Sequence, residues 1–377
     1  MSKIKGMAMI ILCLMVSTSN AETSNIALPE DITIIETSVG LELIFKKHLE
    51  FSVEHITSIA TTSSGTKLFG IMSDGLQTFN VIDDKGNVIF RKKCQWGEIS
   101  KNGEKIFLST EPSNPKNYER VVQMDLKGNV LRQTEFPLGF HITGNDKYIA
   151  QFSTEEDWAP QFILSEIDTD RVIWKRDFPW KWEGYLLPNG NLIVILFNKD
   201  SNITTIYLYG LNGEELWQYN FPQGYKFPWI YIGNNTFLAE FYNDRSEKER
   251  IKHLFFFNEK KGLLWDKKLG LSQLCLSRND RYIGVMELKI KELFLLDSSS
   301  GKEIYRIKVP QNLRYAGLDI NEQGEIALQH TEGAVIVSSE GKIIAEFRDS
   351  EPKCRWVDEN CLLIYTGNNI QMISIGK

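Results

Sequence analysis

A unit of about forty residues recurs along this chain, and a repeat of that period constrains the fold more than any other feature. Its clearest part is a hairpin with a small polar or acidic turn followed by an apolar run. It reads DDKGNVIF (83–90), DLKGNVL (125–131), DTDRVIW (168–174), LNGEELW (211–217), EKKGLLW (259–265), DSSSGKEIY (297–305) and SSEGKII (338–344). The turn positions are 86, 128, 170, 213, 262, 301 and 341, giving intervals of 42, 42, 43, 49, 39 and 40. Four short strands and their turns need roughly 40–45 residues, so each interval holds one four-stranded blade of a β-propeller.

A second hairpin gives an independent count. It reads SSGTKLFGI (63–71), KNGEKIFL (101–108), GNDKYIAQF (144–152), PNGNLIVIL (188–196), GNNTFLAEF (233–241), RNDRYIGVM (278–286), NEQGEIAL (321–328) and DENCLLIY (358–365). Both counts reach eight once ETSVGLELIF (36–45), turning at Gly40, joins the first set. Alternating β-branched and aromatic residues between Asn-Gly, Asn-Asp and Asp-Gly turns are all-β signals, and no helical period is sustained beyond the N-terminal apolar run. The expected fold is therefore an all-β propeller of eight four-stranded blades. Seven blades with a terminal embellishment is the alternative, because 32–37 and 370–375 both read as third strands. The chain ends on inner strands without their outer strand and begins on an outer strand without inner ones. An N-terminal strand is thus expected to complete the C-terminal blade, which would leave no open seam in the ring.

The N-terminus has Lys3 and Lys5, an apolar run from Met7 to Val16, and Ser19-Asn20-Ala21 with small residues where a signal peptidase reads. Residues 1–21 are read as a cleaved signal peptide, with Glu22 starting a mature single domain of 22–377. A lipoprotein reading of Cys13 meets Leu12 where a lipobox requires a small residue. No other stretch has the roughly 20 apolar residues of a membrane span. The mature protein is expected to be secreted or periplasmic. Cys94, Cys275, Cys354 and Cys361 follow no C-x-x-C spacing, and are read as buried or singly paired structural cysteines. A net charge of −6 supplies no global field for a nucleic acid.

The hairpins at 167–174, 211–217, 261–265 and 297–305 resemble the D-x-x-x-G-x-x-x-W style of the PQQ-like, quinoprotein-type repeat propellers. The resemblance spans most of the mature chain at repeat level. It implies that the indoles of Trp174, Trp217 and Trp265 dock between neighbouring blades. Among that family it points to the non-enzymatic branch that includes outer-membrane assembly lipoproteins. The quinone-binding vicinal cysteine pair is missing and so is a C-x-x-C-H haem motif, so no cofactor, metal or catalytic residue is carried over. LLPNGNLIV (186–194) is similar to a segment of periplasmic arylsulfotransferases, but Tyr185 stands where those would place a histidine.

Aromatic residues make up 11% of the chain, and the connections from outer to next inner strands hold a surplus of them. A Phe-Pro step opens three of these connections, at 136, 178 and 221. Trp96, Trp158, Trp180, Lys181, Trp182, Tyr225, Lys226 and Trp229 are the candidate contact residues for a protein partner or cell-envelope component, on a face built by blades two to five. Aligned repeats bring Glu98, His141, Tyr185 and Cys275 to one inner-strand register. Glu98, His141 and Tyr185 are candidates for the channel wall. The expected function is a non-catalytic binding scaffold. The alternative is a propeller enzyme, quinoprotein-, lyase- or arylsulfotransferase-like, with its site at the channel mouth.

Overall fold

The computed structural model of the chain describes residues 33–37, 40–73, 75, 77–110, 118–137, 140–142, 147–153, 161–169, 171–178, 182–225, 228–242, 252–310, 314–348 and 352–376. Residues 1–32, which hold the expected signal peptide, lie outside them. The described residues form eight antiparallel sheets, seven of them meanders running from an innermost to an outermost strand. Blade 1 consists of His55–Thr61, Lys67–Ser73, Thr78–Asp83 and Val88–Lys93. Blades 2 to 7 repeat this order, and their innermost strands are Trp96–Ile99, Phe140–Ile142, Trp182–Leu186, Trp229–Ile232, Ser272–Leu276 and Tyr315–Ile320.

Blade 8 closes the ring. Its three inner strands, Lys353–Trp356, Cys361–Thr366 and Asn369–Ile375, pair with an outermost strand from the other end of the chain, Leu41–His48. Where other blades have a turn, blade 8 has two ends meeting, with Gly376 N donating to Gly40 O at 2.6 Å. The two candidate third strands of the sequence are thereby separated. Asn369–Ile375 is the third strand of blade 8, whereas Thr33–Thr37 adds a fifth strand to the outer edge of blade 7. Gly40 is therefore not the tip of a hairpin, since its two flanking strands belong to different blades.

The repeated glycine turn is explained by what sits on it. Gly213, Gly301 and Gly341 have φ of +82°, +66° and +80°, a region that side chains disfavour. A Cβ at these positions would come within 2.8 Å of Trp174, 2.8 Å of Trp265 and 2.9 Å of Tyr305 respectively. Each of those aromatics belongs to the outermost strand of the preceding blade. Two of the expected inter-blade indoles also donate across the seam, Trp217 Nε1 to Glu259 O at 2.7 Å and Trp265 Nε1 to Ser298 O at 2.6 Å. In blade 2 the position is Arg132, whose guanidinium donates to Ile167 O of blade 3. In blade 7 it is Ala345, and the next blade is the one whose turn is split between the chain ends.

The acidic residue of the repeat shapes the same turn. Asp125 Oδ1 accepts from Lys127 N at 2.9 Å and from Asn129 N at 2.8 Å. Asp83 does the same with Lys85 N at 3.0 Å and Asn87 N at 2.7 Å. These are Asx turns, in which the carboxylate stands in for a backbone carbonyl.

The core lies between blades. Phe255 and Phe257 join the blade 4 side and Phe256 the blade 6 side, as alternation along a strand demands. The seam between blades 4 and 5 takes much of the aromatic surplus. Trp217 stacks at 6.1 Å on Phe237 and 5.7 Å on Phe257, and Phe221 packs edge-on at 4.5 Å against Phe241. The four described cysteines are all free thiols. Burial pushes the Cys94 thiol up to about 11 and raises Cys275 and Cys361 as well.

Candidate functional site

In an antiparallel meander the outermost-to-innermost loops and the second-to-third loops emerge on one face, here termed the loop face. Trp229 opens the innermost strand of blade 5 on that face and is 67% exposed. It stands at the rim of a recess of about 500 Å³ at the mouth of the channel, whose wall also includes Tyr231, Lys252, Ser272, Gln273 and Leu318.

The recess is held by a buried charge pair. Lys252 is 3% exposed and Glu240 1% exposed, and their side chains form an ion pair. The Tyr231 hydroxyl donates to Glu240 Oε2 at 2.8 Å, and Lys252 Nζ donates to Ser272 O of blade 6. This pair ties blade 5 to blade 6. In the wall, Ser272 Oγ and Gln273 Oε1 make no hydrogen bond to the described residues. A buried polar atom without a partner costs about 1–3 kcal/mol.

The other sequence candidates divide sharply. Trp182 is 5% exposed, with its ring 4.6 Å from Phe178, and packs in the seam between blades 3 and 4. Its ring is core and not part of a contact surface. Tyr225 is half-buried, wedged 5.0 Å from Phe241, and its hydroxyl lies 2.5 Å from His253 Nδ1. The other ring nitrogen of His253 meets Asp266 Oδ2 at 2.6 Å. This chain of contacts fixes the connection from blade 4 to blade 5. Trp96 is half-buried, donates Nε1 to Glu98 Oε1 at 3.2 Å, and lies 5.8 Å from the His55 ring. Trp158, Trp180, Lys181 and Lys226 lie outside the described residues.

The inner-strand register read from the repeats is present in the structure. Counted from the turn between the first two strands, the second cross-strand pair is Glu98↔Phe107, His141↔Ala150, Tyr185↔Ile193 and Cys275↔Gly284. The same position holds Tyr231, Asp319 and Arg355 in blades 5, 7 and 8, three residues the sequence reading missed. The His141 side chain is outside the described residues. Tyr185 donates to Glu183 Oε2 at 3.0 Å, repeating the aromatic-to-acid contact of Trp96 and Glu98. Burial raises the carboxyls of Glu98 and Glu183 above the usual range. Among the described residues no group of three or more His, Cys, Asp or Glu is placed to hold a metal ion. None of their helices is long and apolar enough to cross a membrane.

No protein-family model matches this chain, and no curated protein does. Solved structures match its shape. BamB from Moraxella catarrhalis covers 89% of this chain and 100% of its own, at a TM-score of 0.56 and 10% identity. A eukaryotic initiation factor covers 83% of both chains at 0.57 and 13%. Sqt1 from Saccharomyces cerevisiae covers 89% of this chain and 99% of its own at 0.57 and 8%. At such identities the likeness concerns the propeller fold alone, and the PQQ-like resemblance rests on the repeat motifs.

Proposed function

We propose that this chain is an exported, non-catalytic propeller scaffold that holds a protein partner at the loop face, with Trp229 as the anchor. The observation that carries this reading is the exposure of one large indole beside a recess. Trp182 and Trp356 are buried at 5% and 2%, so exposure of Trp229 is not the rule for this chain's indoles. Interface hot spots are enriched in Trp and sit beside pockets that exclude water. The export part of the reading is supported by the N-terminal lysines, apolar run and small residues at 19–21.

The test compares wild type with Trp229→Ala. Partner captured from a cell-envelope extract is identified by mass spectrometry, purified, and titrated against both proteins. Truncating a hot-spot indole is expected to cost about 2 kcal/mol or more, a loss of affinity of roughly thirtyfold. The melting temperature should stay unchanged, because a residue 67% exposed contributes little to the core. Equal affinity in the two proteins overturns the proposal.

A further inference from the structure

The opposite end of the channel holds a second cavity, also of about 500 Å³, lined by residues of six blades. Its wall contains Thr57, Thr61, Glu98, Lys101, Arg278 and Arg355. Three of these are cations, contributed by blades 2, 6 and 8. Arg278 is anchored: Nη1 donates to Val357 O at 3.1 Å and Nη2 to Trp356 O at 3.0 Å, so the side chain reaches from blade 6 past blade 7 to blade 8. Arg355 differs, since its guanidinium makes no hydrogen bond or ion pair among the described residues.

One carboxylate serves both arginines electrostatically. Asp319 accepts from Trp356 N at 2.7 Å, and the charges of Arg355 and Arg278 both act on it. A second acid in the wall, Glu98, accepts from Trp96 Nε1 at 3.2 Å, and burial raises its carboxyl. Arg355 thus has a carboxylate in its field but, among the described residues, no acceptor for its guanidinium N–H groups, and half-buried donors without an acceptor are costly. The volume lies within the roughly 300–1,000 Å³ of small-molecule pockets. Thr57 and Thr61 add hydroxyls to the wall.

We propose that this cavity binds a small polar ligand through an oxyanion, a carboxylate or a phosphate, with Arg355 as its direct contact. A guanidinium offers paired N–H groups that match either oxyanion in a bidentate way. Arg278 acts as a positioning residue, because its bonds fix the two carbonyls that follow Arg355 in the chain. The site is on the opposite face from Trp229 and stands whether or not the partner-binding reading does.

The test is thermal unfolding of residues 22–377 with inorganic phosphate or with glucuronate, each at about 10 mM and at ionic strength matched with sodium chloride. Wild type is expected to melt at a higher temperature with at least one probe, and which one identifies the oxyanion. Arg355→Gln should abolish the shift. Lys308→Gln, an equal charge change on an exposed outermost strand, should keep it. No shift with either probe, or the same shift in wild type and Arg355→Gln, overturns the proposal. Should Arg355→Gln fail to fold by circular dichroism, Arg355→Lys keeps the charge without the fork. It should then weaken binding at least tenfold, read for phosphate by ³¹P line broadening and for glucuronate by its proton line broadening. Undiminished broadening for the probe that wild type binds is equally fatal.

Discussion

Single side chains decide how neighbouring blades meet. Trp265 both stacks on Phe256 at 5.2 Å and donates to Ser298 O, so two contributions can be separated by mutation. Trp265→Phe should lose about 1 kcal/mol from the missing N–H bond, and Trp265→Ala about 3–5 kcal/mol from the emptied seam, both read by denaturant unfolding. Glu98 sets a pH signature. Burial raises its carboxyl, so the folded chain keeps that proton at a pH where the unfolded chain has released it. Its contribution therefore favours the folded state at low pH and is lost as pH rises from about 4.3, the ordinary glutamate value, to the higher folded value. The stability of wild type minus that of Glu98→Gln should decline across that window and then level off. A difference independent of pH would contradict the assignment.

Among the elements, the outermost strand carries a device that the sequence hid. In every blade the pairing of third and outermost strands slips by one residue just before the docked position, leaving Ile89, Leu131, Ile173, Leu216, Leu264, Ile304, Ile344 and Ile44 as the extra residue. Without the bulge, strict alternation would turn the next side chain to the opposite face of the sheet. An Ile or Leu before the aromatic looks in sequence like one more apolar strand residue, which is why strand periodicity alone could not reveal it. Deleting Leu216 should point Trp217 away from the seam with blade 5 and lower stability by several kcal/mol, on the scale of about 3–5 kcal/mol for losing a packed indole. Leu216→Ala, at a residue 44% exposed, should cost under about 0.5 kcal/mol. Equal costs for deletion and substitution, by chemical denaturation, would remove the bulge's role.

For the whole molecule, blade number and closure were legible because each hairpin repeats its own turn chemistry, and the unmatched ends had to pair. The channel register was legible too, since counting back from the first turn of a blade gives Glu98, His141, Tyr185 and Cys275. Asp319 and Arg355 share that register but carry no motif, so the charge pattern of the channel emerged only in three dimensions. The proposed contact surface was the least legible part. Trp182 and Trp229 are both indoles near Phe-Pro steps, and only the folded ring separates the one in a seam from the one at the rim. Much of the aromatic surplus went into the seam between blades 4 and 5, leaving Trp229 as the described indole that faces outward on the loop face. The most direct test of the account places a photo-crosslinking phenylalanine analogue at position 229 and, separately, at position 304 on the outer circumference, in cells making the full chain. Crosslinking at 229 to one discrete partner, with none at 304, is the predicted result; no adduct at 229, or the same adducts at both positions, would contradict it.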